Sequence, residues 1–447
     1  SIARKINGPI CSLPENIRST ILDKFAEILP TKYVLFDWID KDKLKWEGLS
    51  RNPNAIDLLL NNKDKINWYN LCNNPSPNSM ELLKERIEYD NSLTQEQYNN
   101  LNFTDKIDWG VLSVNPNAIK LLKERVKYEH SLTKEQYNNL YVEDKIDWEK
   151  VSGNPNAIDL LKKQIEYEQN LTKEELDDLN YSEQINWDFL STNPNAIDLV
   201  KKQIEYEQNL TEEELDDLDK WKKIDWYLLS KNPNVIDLLE ANPDEIHWDN
   251  LSSNPNAIDL LKENYDNIDW DNLSSNPNAI NLIEKQINID PDEIHWDKLS
   301  MNPNAIKLLK KNQERIDWDS LSTNPKATEL LKERIKYEKK LSRTEYINLR
   351  FNKINWRWLC INPNAIKLLN ERVKYENSLS QKQYNDLNYA DKINWGVLSE
   401  NPNAKTLLKE RVKYEHSLTK EQYNNLYVED KIDWDKLSKN PVIFKAV

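Results

Sequence analysis

Residues 268–280 read IDWDNLSSNPNAI, and this phrase decides the fold because it keeps returning. Residues 107–119 read IDWGVLSVNPNAI and residues 185–197 read INWDFLSTNPNAI. A phrase recurring at a set period marks stacked repeats, in which each thin unit buries its apolar face on its neighbours. The anchoring tryptophans are Trp46, Trp68, Trp109, Trp148, Trp187, Trp226, Trp248, Trp270, Trp296, Trp318, Trp356, Trp395 and Trp434. Their spacings are 22, 41, 39, 39, 39, 22, 22, 26, 22, 38, 39 and 39. Two unit lengths therefore alternate in blocks, one of 22 residues and one near 39.

The short unit reads as two helices. Asp269 suits the N-cap of the first, with Trp270 and Leu273 three apart on one face. Asn-Pro predicts the start of the second, with Asn276 as N-cap and Pro277 in the first turn, where a missing amide hydrogen costs nothing. Ala279, Ile280 and Ile283 then fall on the core side. The long unit adds a third helix opened by a capping box, in which a Ser or Thr hydroxyl and a Glu or Gln three residues on satisfy each other's backbone amides. The pairs are Thr94/Gln97, Thr133/Gln136, Thr172/Glu175, Thr211/Glu214, Ser342/Glu345, Ser380/Gln383 and Thr419/Gln422. Leu132 and Tyr137 suit a hydrophobic staple around one of them.

No stretch alternates with period two, so the expected class is all-α: an α-solenoid of two-helix (22-residue) and three-helix (about 39-residue) tandem repeats. Helices packed ~9 Å apart would give an open rod on the order of 100 Å long. Residues 1–45 lack the phrase and are expected to form an N-terminal helical cap. Mainly long repeats fill 46–225, short ones 226–317, and long ones with a closing unit 318–447. Curvature is expected to change near Trp226 and Trp318. Residues 13–38, LPENIRSTILDKFAEILPTKYVLFDW, are helical in pattern and also resemble an F-box, the segment that docks cullin ubiquitin ligases, through Leu-Pro, Ile21-Leu22 and Val34-x-x-x-Trp38. At the other end Ile443 and Phe444 replace the Ala-Ile pair, which predicts a short, fraying final helix.

Composition narrows the function. The chain holds only 5 glycines among 447 residues, so phosphate loops of the GxGxxG or Walker type are absent. A formal charge of −15 opposes nucleic-acid backbones. Cys11, Cys72 and Cys360 form no pairing or CxxC pattern, which points to a reducing compartment. No apolar run approaches the ~20 residues that span a bilayer, so no membrane role is expected.

Candidate chemistry is thin. His247 and His295 precede tryptophans where other units carry cap residues, and no HExxH pattern accompanies them. His130 and His416 belong to a 28-residue duplication, residues 121–148 and 407–434, which suits repeated surface rather than one catalytic centre. Asp177-Asp178 and Asp216-Asp217 read as solvated faces, and Ser113 and its counterparts have no histidine partner. No catalytic, cofactor-binding or metal-ligating residue is therefore expected, and no enzyme. The tryptophans read as a core ladder. Tyr128, Tyr167, Tyr206, Tyr337, Tyr375 and Tyr414 either pack on the third helix or line an exposed edge.

The phrase W-x-x-L-S-x-N-P-N-A-I-x-L-L, spread over most of residues 46–447, resembles repeat proteins encoded by giant DNA viruses of amoebae, such as mimivirus relatives. The ending NP-x-I-F and the Asn-, Lys- and Ile-rich usage are similar to that group as well. The resemblance implies a viral origin and no enzymatic activity, and supplies no ligand. The leading expectation is a non-enzymatic scaffold for protein partners, host or viral, in the host cytoplasm. Alternatives are a virion structural component, with self-association, and a ubiquitin-ligase substrate adaptor acting through the N-terminal segment. An intracellular, non-secreted location is expected for all three.

Overall fold

The computed structural model describes residues 31–216, 218–219, 222–349 and 352–447. Units are numbered 1 to 13 by their tryptophans, in chain order. Each opens on a short helix that begins at the tryptophan, such as Trp270–Ser275. Asp269 caps it, its carboxylate accepting from Asn272 N at 2.7 Å. The leucine three residues later is fully buried in almost every unit, as are the alanines of Asn-Pro-Asn-Ala.

The second helix begins later than the sequence predicts. In unit 8 it runs Ile280–Ile289. Asn276 is instead the C-cap of the first helix, and residues 276–279 form a turn between the two. The side chain has a better use than capping. Its Oδ1 closes the turn by accepting from Asn278 N at 3.0 Å, while Nδ2 donates to the carbonyls of Ser252 (3.0 Å) and Asn254 (2.9 Å) in the preceding unit. Asn278 adds an outer bond to the Pro255 carbonyl at 2.9 Å. Asn-Pro-Asn thus joins units rather than starting a helix, because a side-chain amide can serve two chains at once.

This joint recurs without a gap. Asn52, Asn74, Asn115, Asn154, Asn193, Asn232, Asn254, Asn276, Asn302, Asn324, Asn362, Asn401 and Asn440 each donate twice to the preceding unit, at 2.8–3.3 Å. A serine ladder runs beside it: Ser252 Oγ donates to Trp248 O at 2.7 Å and accepts Asp269 N at 3.0 Å.

The decisive rung is Asn52. The unit preceding unit 1 is unit 13: Asn52 donates to the carbonyls of Ser438 (2.9 Å) and Asn440 (3.1 Å), and Lys45 N donates to Ser438 Oγ at 2.9 Å. Helix Trp46–Arg51 packs on helix Trp434–Lys439 as other tryptophan helices pack on their neighbours. The expected open rod is therefore a closed ring of thirteen units. At helix spacings of about 9 Å the circuit measures roughly 37 Å across at the helix axes.

Residues 33–35 and 444–446 make the closing element together. Strand β1 (Tyr33–Leu35) pairs antiparallel with β2 (Phe444–Ala446), flanked by Phe36 N to Ile443 O at 3.0 Å and Val447 N to Lys32 O at 2.9 Å. Ile443 and Phe444 are buried, so the expected fraying helix is a paired strand. Among the described residues these are the only strands. Of the helical cap expected over residues 1–45, residues 1–30 lie outside the described residues, and residues 31–45 hold a strand and one 3-10 turn, Lys41–Lys43. A closed ring leaves no terminal face to cap. Of the F-box pattern, residues 13–30 lie outside the described residues, and Val34 sits in β1.

Candidate interaction surface

In a long unit the second helix runs further, and in five of the seven it carries Arg, Tyr and a carboxylate (Glu, or Asp90 in unit 2) at relative positions 0, +3 and +4, one face of a helix. Unit 3 shows the arrangement. The guanidinium carbon of Arg125 lies 4.9 Å from the Trp109 ring centre and 4.7 Å from that of Tyr128. Its Nε pairs with Glu129 at 3.0 Å, and its NH2 group donates to the Asp144 carbonyl. Glu129 also accepts the backbone amide of Ile146, the residue that leads into the next unit, at 3.0 Å. Arg86, Arg334, Arg372 and Arg411 are sandwiched in the same way.

The extended second helix sorts the tryptophans. Those of the long units are buried, whereas Trp46, Trp226, Trp248, Trp270 and Trp296 of short units are only partly covered. It also settles the tyrosines. Tyr89, Tyr128, Tyr167, Tyr206, Tyr337, Tyr375 and Tyr414 are 42–49% exposed. They form an exposed edge, and in five long units the arginine holds the tyrosine's inner face.

A second tier lies on the third helices. All seven capping boxes form as expected, for example Thr133 N to Gln136 Oε1 at 2.9 Å. The tyrosine behind the box is clamped under a lysine, as Tyr98 under Lys106 at 4.7 Å and Tyr137 under Lys145 at 4.3 Å. Tyr346 donates to Asp391 at 2.7 Å, and Tyr98 and Tyr384 donate to Asp144 and Asp430. Burial and these carboxylates push the phenols far above their ordinary range, so they stay protonated donors. Tyr141, Tyr181, Tyr389 and Tyr427 remain exposed.

Two units depart from the pattern. Unit 4 has Gln164 and unit 5 has Gln203 where the others have arginine. Glu168, the counterpart of Glu129, accepts only Gln164 Nε2 (3.0 Å) and Ile185 N (2.9 Å). Burial with no guanidinium beside it pushes its carboxyl up to about 7. A carboxyl raised above its ordinary value holds its proton longer in the folded state. Stability on this account is full below about pH 4.5 and falls as pH rises to about 7. Glu168→Gln should flatten that slope and stabilise unit 4 above pH 7 by at most about 3 kcal/mol. Amide hydrogen exchange of Ile185 at pH 5 and pH 8 checks it; an unchanged pH dependence would reject the assignment.

Grooves run between neighbouring long units. The one between units 2 and 3 has a volume of about 330 Å³ and is lined by Tyr98, Trp109, Arg125, Tyr128 and Asp144. Its counterpart between units 3 and 4 has about 370 Å³, lined by Tyr137, Trp148, Gln164, Tyr167 and Glu183. A larger hollow of about 840 Å³ sits near the seam, among Tyr33, Asp57 and Met80. No protein family, curated protein or solved structure matches this chain.

The remaining candidates fall into place individually. Ser113 donates to Trp109 O and accepts Asp147 N, a structural rung. Cys72 and Cys360 replace that serine in units 2 and 11, where full burial pushes both thiols up to about 12; Cys11 lies outside the described residues. His247 and His295 occupy N-cap positions, but neither side chain caps its helix. Asp178 pairs with Lys134 at the surface; Asp217 is outside the described residues. The duplicated segments differ in setting: His130 stacks on Tyr167, whereas His416 lies 3.1 Å from Asp40 across the seam. Among the described residues no group of three His, Cys, Asp or Glu side chains converges as a metal site, and no helix is long and apolar enough to cross a membrane. The sequence reading missed the arginine sandwich. Its signal was present as Arg-x-x-Tyr-Glu, or Arg-x-x-Tyr-Asp at Arg86, in the extended second helices.

Proposed function

We propose that the chain is a non-enzymatic ring scaffold that binds protein partners along two tyrosine-edged arcs, units 2–5 and units 10–12. The observation that carries the reading is the row of half-exposed tyrosines, one on the extended second helix of every long unit. Tyrosine offers a large, rigid, amphipathic contact at low entropic cost, which is why it is enriched in interfaces. Here arginine clamps fix several rings in advance, reducing the ordering that binding would require. One copy of the identical 28-residue segment lies on each arc, so a partner with two matching epitopes gains avidity. The resemblance to giant-virus repeat proteins supports a viral setting, and the acidic surface favours basic partners.

The test is affinity purification with mass spectrometry, comparing the full chain with Tyr128→Ser/Tyr375→Ser/Tyr414→Ser. Partners recovered by the first and lost by the second support the reading. An identical partner set from both would sink it.

A further inference from the structure

Five long units show what belongs between the paired rings. In each, the chain's own guanidinium lies between a tryptophan and a tyrosine, its carbon 4.7–5.2 Å from both ring centres. It pairs with a carboxylate and donates to a backbone carbonyl, as Arg125 does to Glu129 and Asp144 O. Unit 4 keeps the rings, Trp148 and Tyr167, but Gln164, a shorter and uncharged side chain, takes the arginine's position in the sequence.

The acceptors that the guanidinium would satisfy are left wanting. Gln164 is 3% exposed, and its buried Oε1 has no hydrogen-bond partner. Its Nε2 reaches the Glu183 carbonyl only at 3.5 Å. Beside them opens the cavity of about 370 Å³, lined by Trp148, Gln164, Tyr167 and Glu183. Unit 5 differs, because Gln203 Nε2 reaches the Lys222 carbonyl at 3.1 Å.

We infer that unit 4 is a docking site for a guanidinium group, the side chain of an arginine on a partner protein. The guest seats at the edge of the Trp148–Tyr167 pair and donates to Gln164 Oε1 and the Glu183 carbonyl. The repeats elsewhere supply the template: five long units hold a guanidinium of their own against a carboxylate and a backbone carbonyl, and unit 4 does not. Planar hydrogen bonding to two acceptors favours guanidinium over ammonium. Only the source of the arginine rests on the scaffold reading above.

The experiment is calorimetric titration of the full chain with N-acetyl-arginine amide. Saturable one-site binding is expected, weakened at least tenfold in Gln164→Arg, whose own guanidinium fills the slot, and in Tyr167→Ala. Gln203→Arg should bind as the unaltered chain does. Gln164→Arg installs the residue that five other units already carry in this position, and Tyr167→Ala removes an exposed ring, so either variant, once folded, is enough to decide the matter. Absence of saturable binding, retention in both variants, or loss in Gln203→Arg would overturn the site. Those outcomes leave the tyrosine-arc reading standing, and a failed partner comparison leaves this site standing.

Discussion

Gly48→Leu is expected to open the ring. Gly48 lies two residues after Trp46, on the helix that meets unit 13. A Cβ there would lie 2.8 Å from the Asp435 carbonyl oxygen and 2.8 Å from Ser438 Cβ. Both neighbours belong to the helix Trp434–Lys439, and Ser438 is held twice: its Oγ accepts Lys45 N, and its carbonyl accepts Asn52 Nδ2. Backbone cannot yield to a Cβ as a flexible side-chain tip can, so the two helices must separate. Overpacking of this kind costs typically about 1–3 kcal/mol for the smaller intrusions. A leucine exceeds that and acts at the one joint where separation parts the two ends of the chain. Small-angle scattering should show a larger radius of gyration, and the amides of Lys45, Phe36 and Val447 should lose protection from exchange. Gly396→Ala is the control. Its nearest neighbour would be Asn394 Oδ1 at 3.4 Å, within its own unit, so the ring should stay closed. An unchanged radius and unchanged exchange in Gly48→Leu would refute the closure.

That closure is also where sequence reading stopped. Unit identity was legible, because the tryptophan, the buried leucine and the capping boxes are local and each position states its own environment. Closure is not local. It depends on a small rotation per unit accumulated over thirteen joints, and no single unit encodes the sum. Asn276 shows the same limit at one residue. Before proline, asparagine is a natural N-cap, and nothing within its unit reveals that the carbonyls it needs lie 22 and 24 residues upstream. The candidate site was half legible. Arg125 and Glu129 stand four apart and pair as helix neighbours do. The spacing cannot tell that the guanidinium also covers Trp109, 16 residues back. Once that contact is seen, Gln164 and Gln203 stop being ordinary variation and become the two places where the lock is incomplete.

Arg372→Ala should be among the most damaging single changes in units 10–12. It removes the guanidinium between Trp356 and Tyr375, leaves the Asp391 carbonyl without its donor, and strips the cation from buried Glu376. Removing one partner of a buried ion pair costs about 3–5 kcal/mol, because the other charge stays desolvated. Glu376 cannot move out to water, since its carboxylate also holds Ile393 N at 3.0 Å. Arg372→Gln is the informative comparison, because it recreates what unit 4 already carries. Burial already pushes the Glu376 carboxyl up, against the lowering influence of Arg372. With glutamine in place of the guanidinium, that lowering influence is lost and burial should push the carboxyl up further, as it does for Glu168. The sign then follows from linkage. The folded state would keep a proton that the unfolded state releases near pH 4.5, so the defect is small at pH 4.5 and grows as pH rises above it. Denaturation of Arg372→Gln and Arg372→Ala at pH 5 and pH 8, followed by amide exchange at Ile393, separates the two roles. A glutamine defect equal at both pH values, and as large as alanine's, would mean that the arginine acts through packing alone. A defect that deepens with pH would identify the buried carboxylate as what the arginine is there to hold ionised.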